Sequence, residues 1–204
     1  QQYSAFNRSI PADFSTACFP LCAAAITNSK ITLEGLDFSD TQGDKIIFDH
    51  LEKMGMNIQK NGDKTTVDAS NTELQGIEID LNATPDALPI LAVVGCFAKG
   101  TTYLKNVKNA RIKECDRISA MTKELRQMGA IIEELEDGMI IKQSSLNANN
   151  LHGYDDHRII MSLAIAGLNC DGVTTVDTAE NVKITYPDFV EDLQQISGKI
   201  KWLS

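Results

Sequence analysis

The feature of this sequence that most restricts its fold is an internal repeat with a period of about 70 residues. Three stretches share one order: an aspartate, an apolar helical segment, a β-leaning run and a second helix that ends near a glycine. The leading aspartates are Asp13, Asp86 and Asp156, and the closing glycines are Gly55, Gly129 and Gly198. Because both landmarks recur with nearly the same spacing, the sequence predicts three copies of one structural unit.

Within each copy the pattern predicts a helix, a strand, a second helix and then short strands. Gly55 and Gly129 each follow a methionine at a predicted helix end, and glycine readily adopts the left-handed conformation that closes a helix. The β-leaning runs at 130–134 and 139–142 are divided by turn-forming residues at 136–138. Strands that alternate with helices predict the α/β class.

A unit of this size cannot bury both faces of its elements by itself, so three units must pack against one another. At 204 residues with 43% hydrophobic composition, the chain is long enough to bury a substantial core. No Gly/Ser-rich linker divides it. We therefore expect a single domain, 1–204, with units at about 1–75, 76–148 and 149–204.

Composition argues against several classes of protein. A net charge of -9 disfavours nucleic-acid binding, because phosphate backbones require a basic face. The longest apolar run, 87–98, is too short to span a bilayer, so no membrane association is expected. The five cysteines are odd in number and form no CxxC pair, which predicts reduced thiols and a cytoplasmic protein. No group of residues has metal-ligand spacing, so no metal is expected.

Cations stand at predicted helix starts, where acidic residues are normally preferred. A helix N-terminus carries partial positive charge, so a cation beside it is unfavourable unless an anion binds to both. Lys113 and Arg117 flank one such start, and His157 and Arg158 occupy the first turn of another. Lys183 leads into a third. Since the repeat relates these positions, they predict one wall of an anion-binding pocket.

Each of these residues also has an ordinary structural interpretation. Glu114 and Arg117 have the i, i+3 spacing of a surface ion pair. Cys115 has no histidine nearby and is more simply an inert thiol than a nucleophile. His157 alone is typical of a structural histidine, and Lys183 alone of a surface lysine. The commonest role of an aspartate before a helix is N-capping, which applies to Asp13, Asp86 and Asp156.

Several motifs together resemble one known family. The stretch from Asn109 to Arg117 resembles the KE-x-DR signature of the 3-phosphoshikimate 1-carboxyvinyltransferase (EPSP synthase) family, and Asp155 to Arg158 resembles its second signature. Further segments fall in the family's order, at 13–17, 42–44, 84–87 and 183–187. The resemblance covers essentially the whole chain.

The resemblance implies a fold that the residues alone do not reveal. The family has two similar domains, each of three βαβαββ units in an inside-out α/β barrel, which close on substrates between them. The three units here match the domain that holds the C-terminal part of the family's chain. We therefore expect a piece of a longer, monomeric enzyme, which fits a first residue of Gln rather than Met. The partner N-terminal domain and a short N-terminal strand segment are expected to be missing.

The resemblance also implies a reaction and a set of roles. The enolpyruvyl group of phosphoenolpyruvate moves to the 5-hydroxyl of shikimate 3-phosphate, with no cofactor. Asp86 corresponds to the carboxylate at that hydroxyl, and Glu114 to the group that handles the methylene proton. The implied shikimate 3-phosphate contacts are Asp86, Asn109 and Lys113, and the implied phosphoenolpyruvate contacts are Arg117, His157, Arg158 and Lys183.

Two other classes of function remain open from the sequence. The related transferase that acts on UDP-N-acetylglucosamine shares the fold but lacks this combination of signatures. A non-catalytic binding domain, or a relative of the RNA 3′-phosphate cyclases, is the other alternative. The acidic net charge and the presence of both signatures count against a non-catalytic binding domain and against a relative of the RNA 3′-phosphate cyclases.

Overall fold

A computed structural model describes residues 3–5, 7 and 10–203 of the chain. The first unit contains α1 (Phe14–Ile26), β1 (Lys30–Glu34), α2 (Ile46–Lys53), β2 (Asn57–Asn61) and β3 (Lys64–Asp68). The second contains β4 (Glu78–Asp80), α3 (Leu88–Phe97), β5 (Thr101–Lys105), α4 (Arg117–Gln127), β6 (Ile131–Leu135) and β7 (Gly138–Lys142). The third contains β8 (Asn150–Leu151), α5 (His157–Gly167), β9 (Thr175–Val176) and α6 (Phe189–Gln195).

Each unit has a sheet of its own. The second sheet has the order β4-β5-β7-β6, with β4 and β5 parallel and the other neighbours antiparallel, which gives the unit a βαβαββ order. The first sheet, β1-β3-β2, repeats the last three strands of that order. The third, β8 parallel to β9, repeats only the first two. The predicted α/β class is therefore confirmed, and within the described residues the second unit alone has all four strands.

The core lies between three helices, one from each unit. Helices α1, α3 and α5 pack against one another, while the sheets lie outside them. In α3 every residue from Leu88 to Cys96 is buried, and a helix that is apolar on all sides must be covered on all sides. Gly95 brings α3 close to its own sheet, because a Cβ there would lie 3.2 Å from Ile141 Cδ1. None of the helices in the described residues is long and apolar enough to cross a membrane.

The predicted helix ends are confirmed in two units and shifted in the third. Gly55 and Gly129 adopt positive φ angles of 111° and 101°, directly after the final turns of α2 and α4. After α6 it is Ser197 that adopts the left-handed conformation, with a φ of 72°. Gly198 instead donates its N–H to Leu193 O at 2.7 Å, the bond that Met56 and Ala130 make after the other two helices, so the left-handed residue comes one position earlier than the repeat suggests.

Candidate functional site

The side chain of Arg117 lies at the centre of a cluster of charges where the N-terminal ends of α3, α4 and α5 meet. Its guanidinium is 1% exposed. The Nε atom donates to Asp156 Oδ2 at 2.7 Å, and Nη2 donates to Asp156 Oδ1 at 3.2 Å. Nη1 donates to Asp86 Oδ1 at 2.8 Å, and Nη2 also donates to Glu114 Oε2 at 2.5 Å. Three carboxylates from three parts of the sequence therefore share one buried cation.

Asp156 has two roles at once. As predicted for an aspartate before a helix, it caps α5 by accepting from the backbone N–H groups of Arg158 at 2.9 Å and Ile159 at 3.4 Å. The same carboxylate, which is fully buried, forms the bidentate pair with Arg117. A buried ion pair is tolerated only when its remaining hydrogen-bonding positions are filled, and here the helix end fills them. The sequence indicated the cap but not the pair.

Asp86, by contrast, does not cap a helix. It lies in a short 3-10 turn, Pro85–Ala87, ahead of α3, and its side chain points at cations instead. Its Oδ1 lies 3.1 Å from Lys113 Nζ in addition to the contact with Arg117, and its Oδ2 lies 3.6 Å from Arg158 Nη2. Burial by itself would raise the pKa of Asp86, but Arg158, Lys113 and Arg117 together lower it below its ordinary value. The N-cap interpretation is wrong here, whereas it is confirmed for Asp13 on α1.

The loop between β5 and α4 carries Asn109, Lys113 and Glu114, which are all exposed. Lys113 contacts Asp86 and Glu114 contacts Arg117, while Asn109 lies in the 3-10 turn Lys108–Ile112. Arg111 anchors this loop to the β6–β7 hairpin. Its guanidinium donates to Glu134 Oε1 at 3.0 Å and to the carbonyl oxygens of Leu135 and Glu136. Its Nη1 also donates to Asp116 Oδ2 at 2.8 Å. Sequence reasoning did not single out Arg111, although it lies inside the signature stretch.

His157 and Arg158 occupy the first turn of α5, as the sequence predicted. His157 is 7% exposed, and burial together with the neighbouring Arg158 lowers its pKa, so the ring is neutral near pH 7. The first unit adds the carboxylate of Asp44, for which the sequence motifs indicated no role. Asp44 is half-buried, and burial raises its pKa, while the nearby Ser15 hydroxyl and Arg158 oppose that rise.

Lys183 is not gathered into this cluster. It lies exposed in the 3-10 turn Ala179–Ile184, with its Nζ 5.3 Å from the centre of the Trp202 ring. Among the described residues, none of the ion pairs or hydrogen bonds joins Lys183 to Asp86 or Arg117. The repeat places a cation at an equivalent point of the chain, but the fold directs its side chain elsewhere.

Cys115 lies beside the cluster without the properties of a nucleophile. Its Sγ is 3.7 Å from Asp156 Oδ2. Burial and the charge on Asp156 raise the pKa of the thiol to about 12. Within the described part of the chain, no group of three or more His, Cys, Asp or Glu side chains is arranged to hold a metal ion.

The cluster combines three cations, Lys113, Arg117 and Arg158, with two partly exposed carboxylates, Asp86 and Glu114. Arginines bind phosphate and carboxylate groups in a bidentate manner, and carboxylates exchange protons with a bound molecule. Such a combination of groups is typical of sites that bind small, multiply charged anions.

Comparison with known proteins identifies the family. The family model described as EPSP synthase (3-phosphoshikimate 1-carboxyvinyltransferase) matches residues 1–193. The chain is 52% identical to the 3-phosphoshikimate 1-carboxyvinyltransferase of Ruminiclostridium cellulolyticum over 201 residues, and 45% identical to that of Methanocella arvoryzae. Each alignment covers 98% of this chain and 47% of the relative. The chain belongs to the EPSP synthase family.

Solved structures agree with that assignment. An EPSP synthase structure from Acinetobacter baumannii matches with a TM-score of 0.80 and 29% identity, over 91% of this chain and 46% of the other. A second structure of the enzyme from that organism gives a TM-score of 0.82 and 26% identity. The chain thus spans about half the length of the relatives that it matches.

Proposed function

We propose that this chain forms one wall of the active site of a 3-phosphoshikimate 1-carboxyvinyltransferase. The observation that carries the proposal is the convergence of Asp86, Lys113, Glu114, Arg117 and Arg158 at the meeting point of three helix ends. Lys113 and Glu114 are exposed on one side of that point, which leaves the cluster open to a ligand and to a second wall. A further domain of the same polypeptide supplies that wall.

The cations divide between the two substrates. Arg117, Arg158 and the neutral His157 bind the phosphate and carboxylate of phosphoenolpyruvate, while Lys113 and Asn109 bind the 3-phosphate of shikimate 3-phosphate. Arg117 is saturated by carboxylates without ligand, so phosphoenolpyruvate binding requires Asp86 and Glu114 to release it. Lys183 joins the phosphoenolpyruvate contacts only after its side chain leaves the Trp202 ring.

The reaction needs four proton transfers, two during the addition of the hydroxyl group and two during the elimination of phosphate. Glu114 enters the step protonated, after phosphoenolpyruvate has displaced it from Arg117, and gives its proton to the methylene carbon of phosphoenolpyruvate. The 5-hydroxyl oxygen of shikimate 3-phosphate adds to the adjacent carbon as Asp86 takes the hydroxyl proton. Glu114 then removes a proton from the new methyl group, and the bond to the phosphate oxygen breaks. The products are the enolpyruvyl ether and inorganic phosphate, which leaves with the proton that Asp86 had accepted.

The cations around Asp86 suit this carboxylate to the role of a base that becomes stronger when substrate binds. Without ligand, three cations hold its pKa low, which makes the carboxylate a weak base. When the anionic groups of phosphoenolpyruvate neutralise Arg117 and Arg158, the pKa of Asp86 rises and the carboxylate becomes a stronger base. Proton removal is thereby coupled to occupancy of the site.

The test is to measure phosphate release by the intact protein from phosphoenolpyruvate and shikimate 3-phosphate, with UDP-N-acetylglucosamine as the competing acceptor. Turnover is expected with shikimate 3-phosphate as the acceptor and not with UDP-N-acetylglucosamine. Asp86→Asn and Glu114→Gln should each lower kcat by about 10²–10⁴-fold while changing KM much less, since each group acts mainly in the transition state. Near wild-type turnover in either variant would remove the corresponding acid–base assignment.

The third unit supports the proposal of a larger protein. Strands β8 and β9 pair as β4 and β5 do, but the described residues contain no counterpart of the β6–β7 hairpin beside them. A cavity of about 620 Å³ lies next to β9, with Ile160, Val176 and Phe189 among its apolar walls. A strand segment from elsewhere in the polypeptide would complete this sheet.

We also propose that the protein is a cytoplasmic monomer. The described structure supports the compartment in one respect: its five cysteines, which include the buried Cys18, Cys22 and Cys96, are all free thiols. Unpaired thiols are typical of a reducing compartment. Fractionation of cells and light scattering of the purified protein would test the two statements.

A further inference from the structure

Helix α4 holds the loop between β8 and α5 at two points along one face. Near the start of the helix, Arg117 binds Asp156 at the end of this loop. Two turns further along, Glu124 is 1% exposed and accepts from the Tyr154 hydroxyl at 2.8 Å and from the backbone N–H of His152 at 3.0 Å. Positions two turns apart lie on the same face of a helix, separated by about 10 Å. The loop therefore runs along α4 between a cationic and an anionic anchor.

The backbone of this loop is strained. Tyr154 and Asp155 have φ angles of 57° and 54°, in the left-handed region that side chains other than glycine seldom adopt. Such a conformation persists only where surrounding contacts over-determine it. Further contacts come from the opposite side: Asp177 Oδ1 accepts from Gly153 N at 2.7 Å, and Thr178 Oγ1 accepts from Asp155 N at 3.3 Å.

A buried carboxylate is a costly way to fill space. Placing Glu124 in the interior requires compensation by hydrogen bonds, and an apolar side chain of similar size would avoid that cost. What the carboxylate provides is direction, since its two oxygens each fix one donor of the loop. The fixed loop ends at Asp156, which orients Arg117 and caps the helix that carries Arg158.

We propose that Glu124 and Tyr154 are positioning residues of the anion site. They fix the position of the β8–α5 loop along α4 and thereby the geometry of Arg117 and Arg158. The inference rests on the proposed function of that site. Neither residue touches substrate. Their loss lets the loop shift, and a displacement of about 1 Å at a binding group lowers the rate on the order of a hundredfold.

The variants Tyr154→Phe and Glu124→Gln test the proposal in the intact protein. Tyr154→Phe keeps the ring and removes one hydrogen bond, while Glu124→Gln keeps the shape but replaces one of the two acceptor oxygens with an NH2 group. Both are expected to lower kcat/KM for phosphoenolpyruvate by about 10- to 100-fold. KM for shikimate 3-phosphate should stay nearly constant, because Lys113 lies on a different loop. Tyr186→Phe is the matched control, since it removes a similar bond, from the Tyr186 hydroxyl to Asp192 at 2.9 Å.

A second measurement requires no turnover. The side-chain ¹H–¹⁵N resonance of Arg117 Nε, assigned by its absence in Arg117→Lys, reports on the bond to Asp156. It should be sharp and slow to exchange in the wild-type chain and in Tyr186→Phe, but broadened or faster to exchange in Tyr154→Phe and Glu124→Gln. An unchanged resonance in both variants would overturn the positioning role, whatever happens to activity. A wild-type protein without transferase activity would remove the proposed function, while the resonance would still decide the positioning role.

Discussion

At the scale of single residues, the buried ion pair of Arg117 and Asp156 makes each of the two charges depend on the other. Both side chains are essentially excluded from solvent, so water cannot solvate either charge if its partner is removed. Removing one partner from such a pair is strongly destabilising, because it leaves an uncompensated charge in the interior. Asp156 therefore supports the fold as well as the site.

Asp156→Asn should lower the free energy of unfolding by about 3–5 kcal/mol. The amide still caps α5, because asparagine is as good an N-cap as aspartate, so the loss reports on the pair with Arg117. Asp13→Asn is the matched control: Asp13 caps α1 by accepting from Thr16 N at 2.8 Å, and among the described residues it pairs with no arginine. Its effect should stay below about 1 kcal/mol. Urea unfolding of both variants makes the comparison, and equal effects would contradict the argument.

The thiol of Cys115 should be unreactive toward alkylation in the folded chain, although it lies beside the cluster. A thiol pKa of about 12 leaves on the order of a thousandfold less thiolate at pH 8 than an ordinary cysteine has. Iodoacetamide labelling at pH 8, followed by peptide mass analysis, should leave Cys115 unmodified in the native state. The same peptide should react rapidly in guanidinium chloride, where burial and Asp156 no longer act. Fast labelling of the native protein would refute this expectation.

At the scale of elements, the sheet of the second unit depends on close backbone contact. Gly138 opens β7 opposite β5, and a Cβ at that position would lie 1.9 Å from Leu104 O. No rotamer relieves this clash, because the backbone fixes the position of the Cβ and Leu104 O is itself a backbone atom. The β6–β7 hairpin that contains Gly138 also carries the carbonyl groups that hold Arg111, so sheet and site loop are connected.

Gly138→Ala should therefore destabilise the chain by about 3 kcal/mol and loosen the loop that carries Lys113. Gly43→Ala is a suitable control, since a Cβ at Gly43 meets nothing within 4 Å. That substitution should change stability by no more than about 0.5 kcal/mol. Chemical denaturation measures both effects, and amide hydrogen exchange of residues 108–113 reports on the loop. Equal stability of the two variants would show that β7 can move away from β5 at little cost.

At the scale of the whole molecule, folding and catalysis have different requirements. The three central helices bury a continuous apolar core within this chain. The charge cluster, in contrast, is covered on one side only, with Lys113 and Glu114 exposed. Stabilisation of a charged transition state needs a closed site from which water is largely excluded.

The 204-residue chain on its own is expected to melt cooperatively and to show no turnover of phosphoenolpyruvate with shikimate 3-phosphate. Differential scanning calorimetry and a phosphate-release assay on the same sample test both parts. Addition of the further domain proposed above, as a separate polypeptide, should restore activity. Turnover by the chain alone, at the level of an intact relative, would show that one wall is sufficient.

The sequence by itself determined the features that depend on short stretches of chain. The repeat, the α/β class, the turn between β6 and β7, the helix ends at Gly55 and Gly129 and the cap at Asp13 all follow from periodicity and local hydrogen bonding. It also placed cations at the starts of α4 and α5, because charge at a helix end is a local property. The resemblance to EPSP synthases, which rests on short ordered motifs, was confirmed by the comparisons.

Only the tertiary structure decided which charges meet. Arg117 reaches Asp86 across 31 positions and Asp156 across 39, and no local pattern encodes such pairs. The fold likewise turned Asp86 away from capping, directed Lys183 to Trp202 and gave Glu124 a buried place under the β8–α5 loop. The physical reason is that ion pairs and buried hydrogen bonds depend on how helices pack, whereas helices and turns depend on the residues within them.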